Sequence, residues 1–263
     1  MTANQTWPRR LEGKTVLVTR PEGQSEDFRR LLEQEGANVI HCPTIEITPP
    51  ESWQACDEAV ARLEQYDGFV FTSPNAAKFF LGRAAERKRE NTTIGNKSCY
   101  AVGAQTASVV LSFGYKTMLL DGVTTGRSLA DALTKSGHRF IAYPKGNLAS
   151  GEPAMVLREH GIQVDEIVVY VTVNRAREHA QEVEAALRAG KVDLLTFFSP
   201  SGFESLVEVL PAGLLSGKTI AAIGPTTASA IRSAGFEVAI MPALPSSMEM
   251  ADAIIAYYNE NLS

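Results

Sequence analysis

Polar side chains that could bind an anion follow two matching apolar runs in this sequence. FTSPNA (71–76) places Ser73 and Asn75 after one run, and FFSPSG (197–202) places Ser199 and Ser201 after the other. Serine followed by proline and a helical pattern is typical of a capped helix start. The N-terminus of a helix offers unpaired N–H groups and about half a positive charge, so it attracts carboxylate or phosphate groups.

Further hydroxyl groups and glycines occupy the same kind of junction. They are Thr19, Thr106, Thr226 and Thr227, together with Gly103, Gly202 and Gly224. A glycine lets a ligand approach the backbone closely. Each hydroxyl taken alone is also explained as a helix cap, which contributes about 1 kcal/mol. A duplicated fold would copy its caps, so both interpretations stay open at each position.

Patterns for several other chemistries are missing from the sequence. It has no P-loop, GxGxxG fingerprint or GxSxG nucleophile elbow. The three cysteines lack CxxC spacing and the four histidines lack HxxxH spacing, so we expect inert thiols and no metal site. Hydrolysis has little support, and we expect a protein without cofactors.

Short β-rich runs alternate with helical patterns along the chain. The predicted strands are VLVT, GFVFTS, CYAVG, FIAY, VVYVTV, LLTFFS and TIAAIG. The predicted helices lie in SEDFRRLLEQEG, PNAAKFFLGRAAERK, AQTASVVLSFG, TTASAIRSAG and SSMEMADAIIAYY. This alternation indicates an α/β fold, with parallel sheets covered by helices on both faces. Ligands of such doubly wound sheets bind beyond the carboxyl ends of the strands, where the hydroxyl residues fall.

An internal repeat predicts two doubly wound domains related by duplication. Besides the two Ser-Pro stretches, residues 97–133 resemble 218–254, and residues 14–47 resemble 140–173 more faintly. The domains could follow one another, near 14–135 and 138–255. Alternatively, one domain is inserted into the other in a crossed arrangement. Residues 1–46 and 175–263 then form one domain, residues 50–170 form the inserted domain, and the linkers are 47–49 and 171–174. The linkers lie at equivalent ends of the matching segments, which favours the crossed arrangement with a two-stranded linker.

Length, composition and charge narrow the class of protein. The chain has 263 residues, 44% hydrophobic and 21% charged, which is typical of a globular protein. No apolar run approaches the roughly 18 to 20 residues of a membrane span, and no signal peptide is evident, so we expect a cytoplasmic protein. A formal net charge of −5 argues against nucleic-acid binding. Local donors would have to hold an anionic small molecule.

Six short motifs occur in the order seen in uroporphyrinogen-III synthases, a family that the chain resembles from Lys14 to about Tyr257. They are TRP (Thr19–Pro21), FTSPNA, VGAQTA, VVYVT, FFSPSG and IGPTTA. The resemblance implies two α/β domains in the crossed arrangement. It also implies a cyclizing lyase that converts hydroxymethylbilane to uroporphyrinogen III without a cofactor. The substrate loses water, ring D is inverted through a spiro intermediate, and the macrocycle closes.

The resemblance also implies roles for individual residues. Tyr170 in VVYVT is the expected catalytic residue, as a donor to the departing hydroxyl. The expected substrate-binding residues are Thr19, Arg20, Ser73, Asn75, Gly103, Thr106, Lys145, Ser199, Ser201, Gly224, Thr226 and Thr227. One segment departs from the family. YPKGNLAS (143–150) stands where many members have two arginines, and Lys145 lacks the planar fork of an arginine.

A different class of function also fits the sequence. A two-lobed protein could bind or carry an anionic tetrapyrrole precursor without chemistry, and it would leave the isomer ratio of the product unchanged. We expect a monomer, and the sequence leaves open a transient contact with the enzyme that makes the substrate.

Overall fold

The chain forms two compact units in the computed structural model, which describes residues 9–87, 94–95, 97–118, 122–123, 125–211 and 213–260. Unit 1 combines the segment that ends at Glu46 with the segment that begins at Val173, and unit 2 is Ile47–Thr172. Part of the N-terminal stretch in which no signal peptide was found lies outside the described residues. Within the described ranges, no helix is long and apolar enough to span a bilayer.

Unit 1 is built on a four-stranded parallel sheet. Its strands are β1 (Thr15–Val18), β2 (Asn38–His41), β9 (Leu194–Phe197) and β10 (Thr219–Ala222), in the order β10-β9-β1-β2. Its helices are α1 (Glu22–Gln34), α7 (Ala176–Arg188), α8 (Pro200–Val209), α9 (Pro225–Ser233) and α10 (Ser247–Glu260). Successive residues of β1 enter opposite cores, because strand side chains alternate between faces. Leu17 packs in one core, and Val16 and Val18 pack in the other.

Unit 2 contains most of a six-stranded sheet. The strands are β3 (Ile45–Thr48), β4 (Gly68–Phe71), β5 (Ser98–Ala101), β6 (Thr117–Met118), β7 (Phe140–Gly146) and β8 (Gln163–Asn174), in the order β3-β8-β7-β4-β5-β6. The helices are α2 (Gln54–Val60), α3 (Pro74–Glu86), α4 (Ala104–Ser112), α5 (Gly126–Leu133) and α6 (Glu152–Glu159). All four residues of β4 are buried, with Phe69 and Phe71 in one core and Val70 in another.

The two sheets carry the repeated segments in the same spatial order. β8-β7-β4-β5-β6 in unit 2 corresponds to β2-β1-β9-β10 in unit 1, where Ile240 adds a bridge beyond β10. The shared order agrees with the internal repeat. In each sheet, strands that follow one another along the chain are added first on one side and then on the other. The change of side lies between β7 and β4 in unit 2 and between β1 and β9 in unit 1. Such reversal points are where doubly wound sheets bind ligands.

Most predicted elements are present, and the α/β class with parallel sheets is confirmed. The linker segments form two neighbouring strands, as the sequence suggested. β3 occupies Ile45–Thr48, a run that was not among the predicted strands, and β8 continues to Asn174. The chain therefore passes from one unit to the other inside β3 and again inside β8, and these two strands are neighbours in the six-stranded sheet.

Candidate active site

Ser73 starts α3 at the end of buried strand β4. Its backbone is extended, and its Oγ accepts a hydrogen bond from the N–H of Ala76 at 3.1 Å. Pro74 has no N–H, and the N–H of Ala77 reaches the Ser73 carbonyl at 3.2 Å. Among the first-turn donors that the structure describes in α3, the N–H of Asn75 therefore remains for a ligand.

The start of α4 lies at the same edge of the sheet, because β4 and β5 are parallel neighbours. Gly103 caps α4 with φ of 79°, a left-handed conformation that glycine adopts without strain. Gly103 is exposed, whereas the side chain of Thr106 is buried. We therefore retain the backbone of the first turn of α4 as a donor surface and place the Thr106 hydroxyl beneath it.

Tyr170 lies at this edge in contact with Ser73. The two hydroxyl oxygens are 3.4 Å apart. The ring of Tyr170 stacks on Phe79 of α3, with centroids 5.9 Å apart and an interplanar angle of 28°. Tyr170 is half-buried, so its ring is fixed by packing while part of the side chain stays accessible.

A second phenol, which sequence reasoning missed, lies deeper at the unit 2 edge. The Tyr143 side chain is buried, its hydroxyl lies 3.3 Å from Thr72 Oγ1, and it donates to the Ser150 carbonyl at 3.4 Å. Burial raises the pKa of Tyr143. Tyr143 ties β7 to the loop before α6, and its hydrogen bonds are already used within the protein.

Lys145 is also engaged within the protein. Its Nζ donates to Glu166 Oε2 at 2.6 Å, and only 13% of the side chain is exposed. Burial alone would raise the pKa of Glu166, but hydrogen bonds from Lys145 and Arg158 outweigh it and lower the pKa. The structure thus pairs the positive charge that the sequence suggested for a ligand, so we no longer favour Lys145 as a carboxylate contact.

The unit 1 edge repeats the serine cap. Ser199 Oγ accepts from the N–H of Gly202 at 3.0 Å and lies 3.1 Å from Ser201 Oγ. Pro200 again removes one N–H, so the N–H and hydroxyl of Ser201 are the polar groups left near the helix start. The chemistry at Ser73 and Ser199 matches because in each case a buried strand is followed by a capping serine and then by a proline.

Helix α9 starts beside α8 because β9 and β10 are parallel neighbours. Gly224 caps it with extended backbone, and Pro225 takes the first helical position. The Thr226 side chain is exposed, whereas Thr227 is only 3% exposed. Of the two hydroxyls predicted here, Thr226 is the one placed to meet a ligand.

Arg20 brings a fixed positive charge to the unit 1 edge. Its guanidinium lies over the ring of Phe198, 4.5 Å from the centroid, and its Nη1 donates to Ser247 Oγ at 2.5 Å. Its Nε is buried without a hydrogen-bond partner among the described residues, and burial lowers the pKa of the group. An arginine nevertheless stays charged in proteins, so an anion here would gain a cation held in place.

Thr19 has a different position from the one that its motif suggested. It is 2% exposed, its Oγ1 donates to the Thr196 carbonyl at 2.7 Å, and its carbonyl accepts from Thr44 Oγ1 at 3.3 Å. Its hydroxyl hydrogen is therefore committed to joining β1 to β9. We assign Thr19 to holding the strand ends together below Arg20.

The candidate residues therefore form two sets, one on each unit. Unit 2 brings together Ser73, Asn75, Gly103, Thr106 and Tyr170, and unit 1 brings together Arg20, Ser199, Ser201, Gly224, Thr226 and Thr227. Sequence reasoning missed Phe198 and Ser247, which hold Arg20. Their only signal was their position, beside a predicted cap and at the start of the last helix.

Comparison with known proteins identifies the chain's relatives. The profile of the HEM4 family, "Uroporphyrinogen-III synthase HemD", matches residues 26–252. The uroporphyrinogen-III synthase of Chlorobaculum parvum is 33% identical over 92% of this chain and 98% of its own length. The chain belongs to the uroporphyrinogen-III synthase family. The synthase of Synechococcus elongatus is 30% identical, over 82% of this chain and 85% of its own length.

Solved structures agree on the fold. A mutant uroporphyrinogen III synthase of Thermus thermophilus superimposes with a TM-score of 0.73, covering 94% of this chain and 99% of that one at 20% identity. The Helicobacter pylori enzyme gives 0.59 at 16% identity. Uroporphyrinogen-III synthases are cyclizing lyases of tetrapyrrole biosynthesis, and this chain is a member of that enzyme family.

Other reactive side chains play no visible part at either edge. Burial raises the pKa of each of Cys42, Cys56 and Cys99 to about 12, so these thiols stay protonated at neutral pH. Across the described parts of the chain, no three His, Cys, Asp or Glu side chains converge in a way that could hold a metal ion.

Proposed function

We propose that this chain converts hydroxymethylbilane to uroporphyrinogen III, with loss of one water and inversion of ring D. The observation that carries the proposal is the combination of family membership with two matching donor edges, of which one also carries an accessible phenol. The substrate bears acetate and propionate groups on four pyrroles. A chain with a net charge of −5 would have to bind it through local donors.

The proposed binding groups are the helix starts. At α3 and α8 the serine cap and the proline use up or remove most first-turn donors, which leaves the N–H of Asn75 and of Ser201. Gly103 is exposed and lets a carboxylate approach the start of α4, whereas Gly224 is buried, so at α9 the exposed Thr226 is the proposed contact. Arg20 adds a cation. Several carboxylates held at once would restrict the flexible substrate to the folded conformer that gives inversion.

Tyr170 is the proposed proton donor to the departing hydroxyl. Ser73 Oγ already accepts from the N–H of Ala76, so the serine's own hydrogen can be donated to the Tyr170 oxygen at 3.4 Å. The phenol hydrogen is then available to the substrate hydroxyl. The Ser73 hydrogen bond would also stabilise negative charge that develops on the phenol as its proton moves.

We propose the domain division of the crossed arrangement, with residues 1–46 and 175–263 in one domain, 50–170 in the other, and linkers at 47–49 and 171–174. It is supported by the two compact units and by the passage of the chain from one unit to the other inside β3 and β8. We further propose that the chain acts as a monomer in the cytoplasm. Light scattering at the assay concentration tests the monomer.

The isomer ratio of the product tests the function directly. Freshly made hydroxymethylbilane is incubated with the protein, and the products are oxidised and separated by chromatography. We expect mostly isomer III with the protein and isomer I with heat-inactivated protein. Isomer I at the uncatalysed rate in both samples would exclude the synthase activity, and the alternative of a protein that binds or carries the precursor would then lead.

Replacement of Tyr170 by Phe tests the proton donor. We expect kcat to fall by about 100-fold, the lower end of the range for general acid catalysis, with little change in KM, because the ring and its packing remain while the donor is lost. The share of isomer I should rise as the spontaneous reaction competes. Unchanged kcat and isomer ratio would remove the acid role from Tyr170.

A further inference from the structure

We propose that Gly146 is a positioning residue for the Tyr170 phenol, because the ring occupies the space that any side chain at 146 would need. A Cβ built on Gly146 would lie 2.4 Å from Cζ, 2.6 Å from Cε2 and 2.7 Å from the hydroxyl oxygen of Tyr170. These are the atoms at the reactive end of the ring. The proposal rests on the proposed function, in which that hydroxyl is the proton donor.

A β-bulge brings Tyr170 to this position. Along the β7–β8 pair, Lys145 is opposite Val168, but Gly146 is opposite Tyr170, so β8 advances two residues while β7 advances one. Bulges re-aim side chains and are common beside active sites. Ile167, Val169 and Tyr170 all pack into the same core, which regular alternation along a strand would not allow.

The ring is held on its other sides as well. Phe79 stacks on it at 5.9 Å, and the Tyr170 carbonyl accepts from the N–H of Asn147 at 3.2 Å. The Asn147 side chain in turn accepts from the N–H of Thr172 at 2.8 Å. The ring is therefore confined between Phe79 and the backbone of Gly146, and its hydroxyl is left within reach of Ser73.

The φ angle of Gly146 is not among the positive values, so alanine would fit the backbone there without conformational strain. The effect of Gly146→Ala should therefore come from the contact alone. An ordinary contact begins near 3.4 Å, so the end of the ring must move by about 1 Å (3.4 minus 2.4). A misplacement of about 1 Å in an active site can cost about 100-fold in rate.

A double-mutant cycle distinguishes positioning from a general effect on stability. We expect Gly146→Ala to lower kcat by at least fivefold, and by no more than Tyr170→Phe does, with KM changed less than threefold. In the Tyr170→Phe background, Gly146→Ala should lower kcat by less than twofold. The melting temperature should fall by the same amount in both backgrounds, because the ring is displaced in both.

Gly82→Ala is the matched control. Gly82 lies in α3 of the same unit, and a Cβ there meets nothing within 4 Å. It should leave kcat and the isomer ratio at their original values. A crystal structure of Gly146→Ala gives a readout that does not depend on turnover. We expect its Tyr170 hydroxyl to have moved beyond hydrogen-bond distance from Ser73.

Three results would overturn the proposal: unchanged kcat in Gly146→Ala, an equal loss of kcat in both backgrounds, or a Tyr170 hydroxyl still within hydrogen-bond distance of Ser73. If the unmodified protein makes no isomer III, the proposed function fails instead. The crystal structure of Gly146→Ala then still decides whether Gly146 positions the phenol.

Discussion

Ser199 offers a way to separate helix capping from ligand binding, because aspartate caps a helix as well as serine does but carries a negative charge. The cap is the 3.0 Å hydrogen bond from the N–H of Gly202 to Ser199 Oγ. Ser199→Ala loses it, at a cost of about 1 kcal/mol and a fall in melting temperature of roughly 2–4 °C. Ser199→Asp keeps the cap and gains a favourable interaction with the helix dipole, so its stability should equal or exceed that of the unmodified protein.

The effect on substrate binding should run the other way. A substrate carboxylate at the start of α8 would lie about 4 Å from the new carboxylate of Ser199→Asp. Repulsion at that distance is about 1 kcal/mol in bulk water and about 4 kcal/mol near a protein surface. kcat/KM should therefore fall by between about fivefold and several hundred-fold, whereas Ser199→Ala should lose much less. The defect should shrink at high salt, because ions screen exposed charges.

The assay is steady-state consumption of hydroxymethylbilane, with melting temperature measured on the same samples. Ser216→Asp is the control for the change in net charge, because Ser216 is exposed in the turn before β10, at the opposite edge of the same sheet. It should keep its original kcat/KM. If Ser199→Asp is as stable and as active as the unmodified protein, Ser199 is a cap and the carboxylate site at α8 does not exist.

Two further predictions concern stability. Thr19→Val should destabilise unit 1 by about 1–3 kcal/mol in denaturant unfolding, because the buried carbonyl of Thr196 loses its donor; an unchanged midpoint would show that the bond contributes nothing. Hydrogen bonds from the N–H groups of Arg139 and Phe140 lower the pKa of Asp67. The ionised carboxylate therefore stabilises the folded protein at neutral pH. This contribution is lost as the pH falls from about 4 through the lowered pKa of Asp67. The difference in melting temperature between the unmodified protein and Asp67→Ala should therefore shrink at low pH, and a difference independent of pH would contradict the assignment.

Much of the fold was predictable because local sequence and tertiary structure agree in this chain. The buried strand β4 and the Ser-Pro start of α3 are formed by adjacent stretches of sequence, and the same holds for β9 and α8. The two-stranded linker was expected at 47–49, whereas its first strand, β3, begins two residues earlier, at Ile45. The strand ends at Thr48, just before Pro49, and its place beside β8 depends on a partner more than 100 residues away.

The candidate site was less predictable than the fold, because the same residue types serve as ligand contacts and as internal partners. Sequence reasoning named Thr19 from a shared motif and Lys145 from the segment that departs from the family, yet the hydroxyl of Thr19 is used by Thr196 and the charge of Lys145 by Glu166. Neither pairing is visible in the sequence, since each joins residues of different strands. Gly146 was passed over for the same reason, because a bulge in β8 decides what lies against it.

The duplicated fold supplies the same serine-capped edge twice, and the two copies differ in which charged or reactive group they add. The unit 1 edge keeps a cation, because the Arg20 side chain contacts two neutral groups, the ring of Phe198 and the hydroxyl of Ser247. At the unit 2 edge the nearby cation Lys145 is neutralised by Glu166, and the group presented is the phenol of Tyr170.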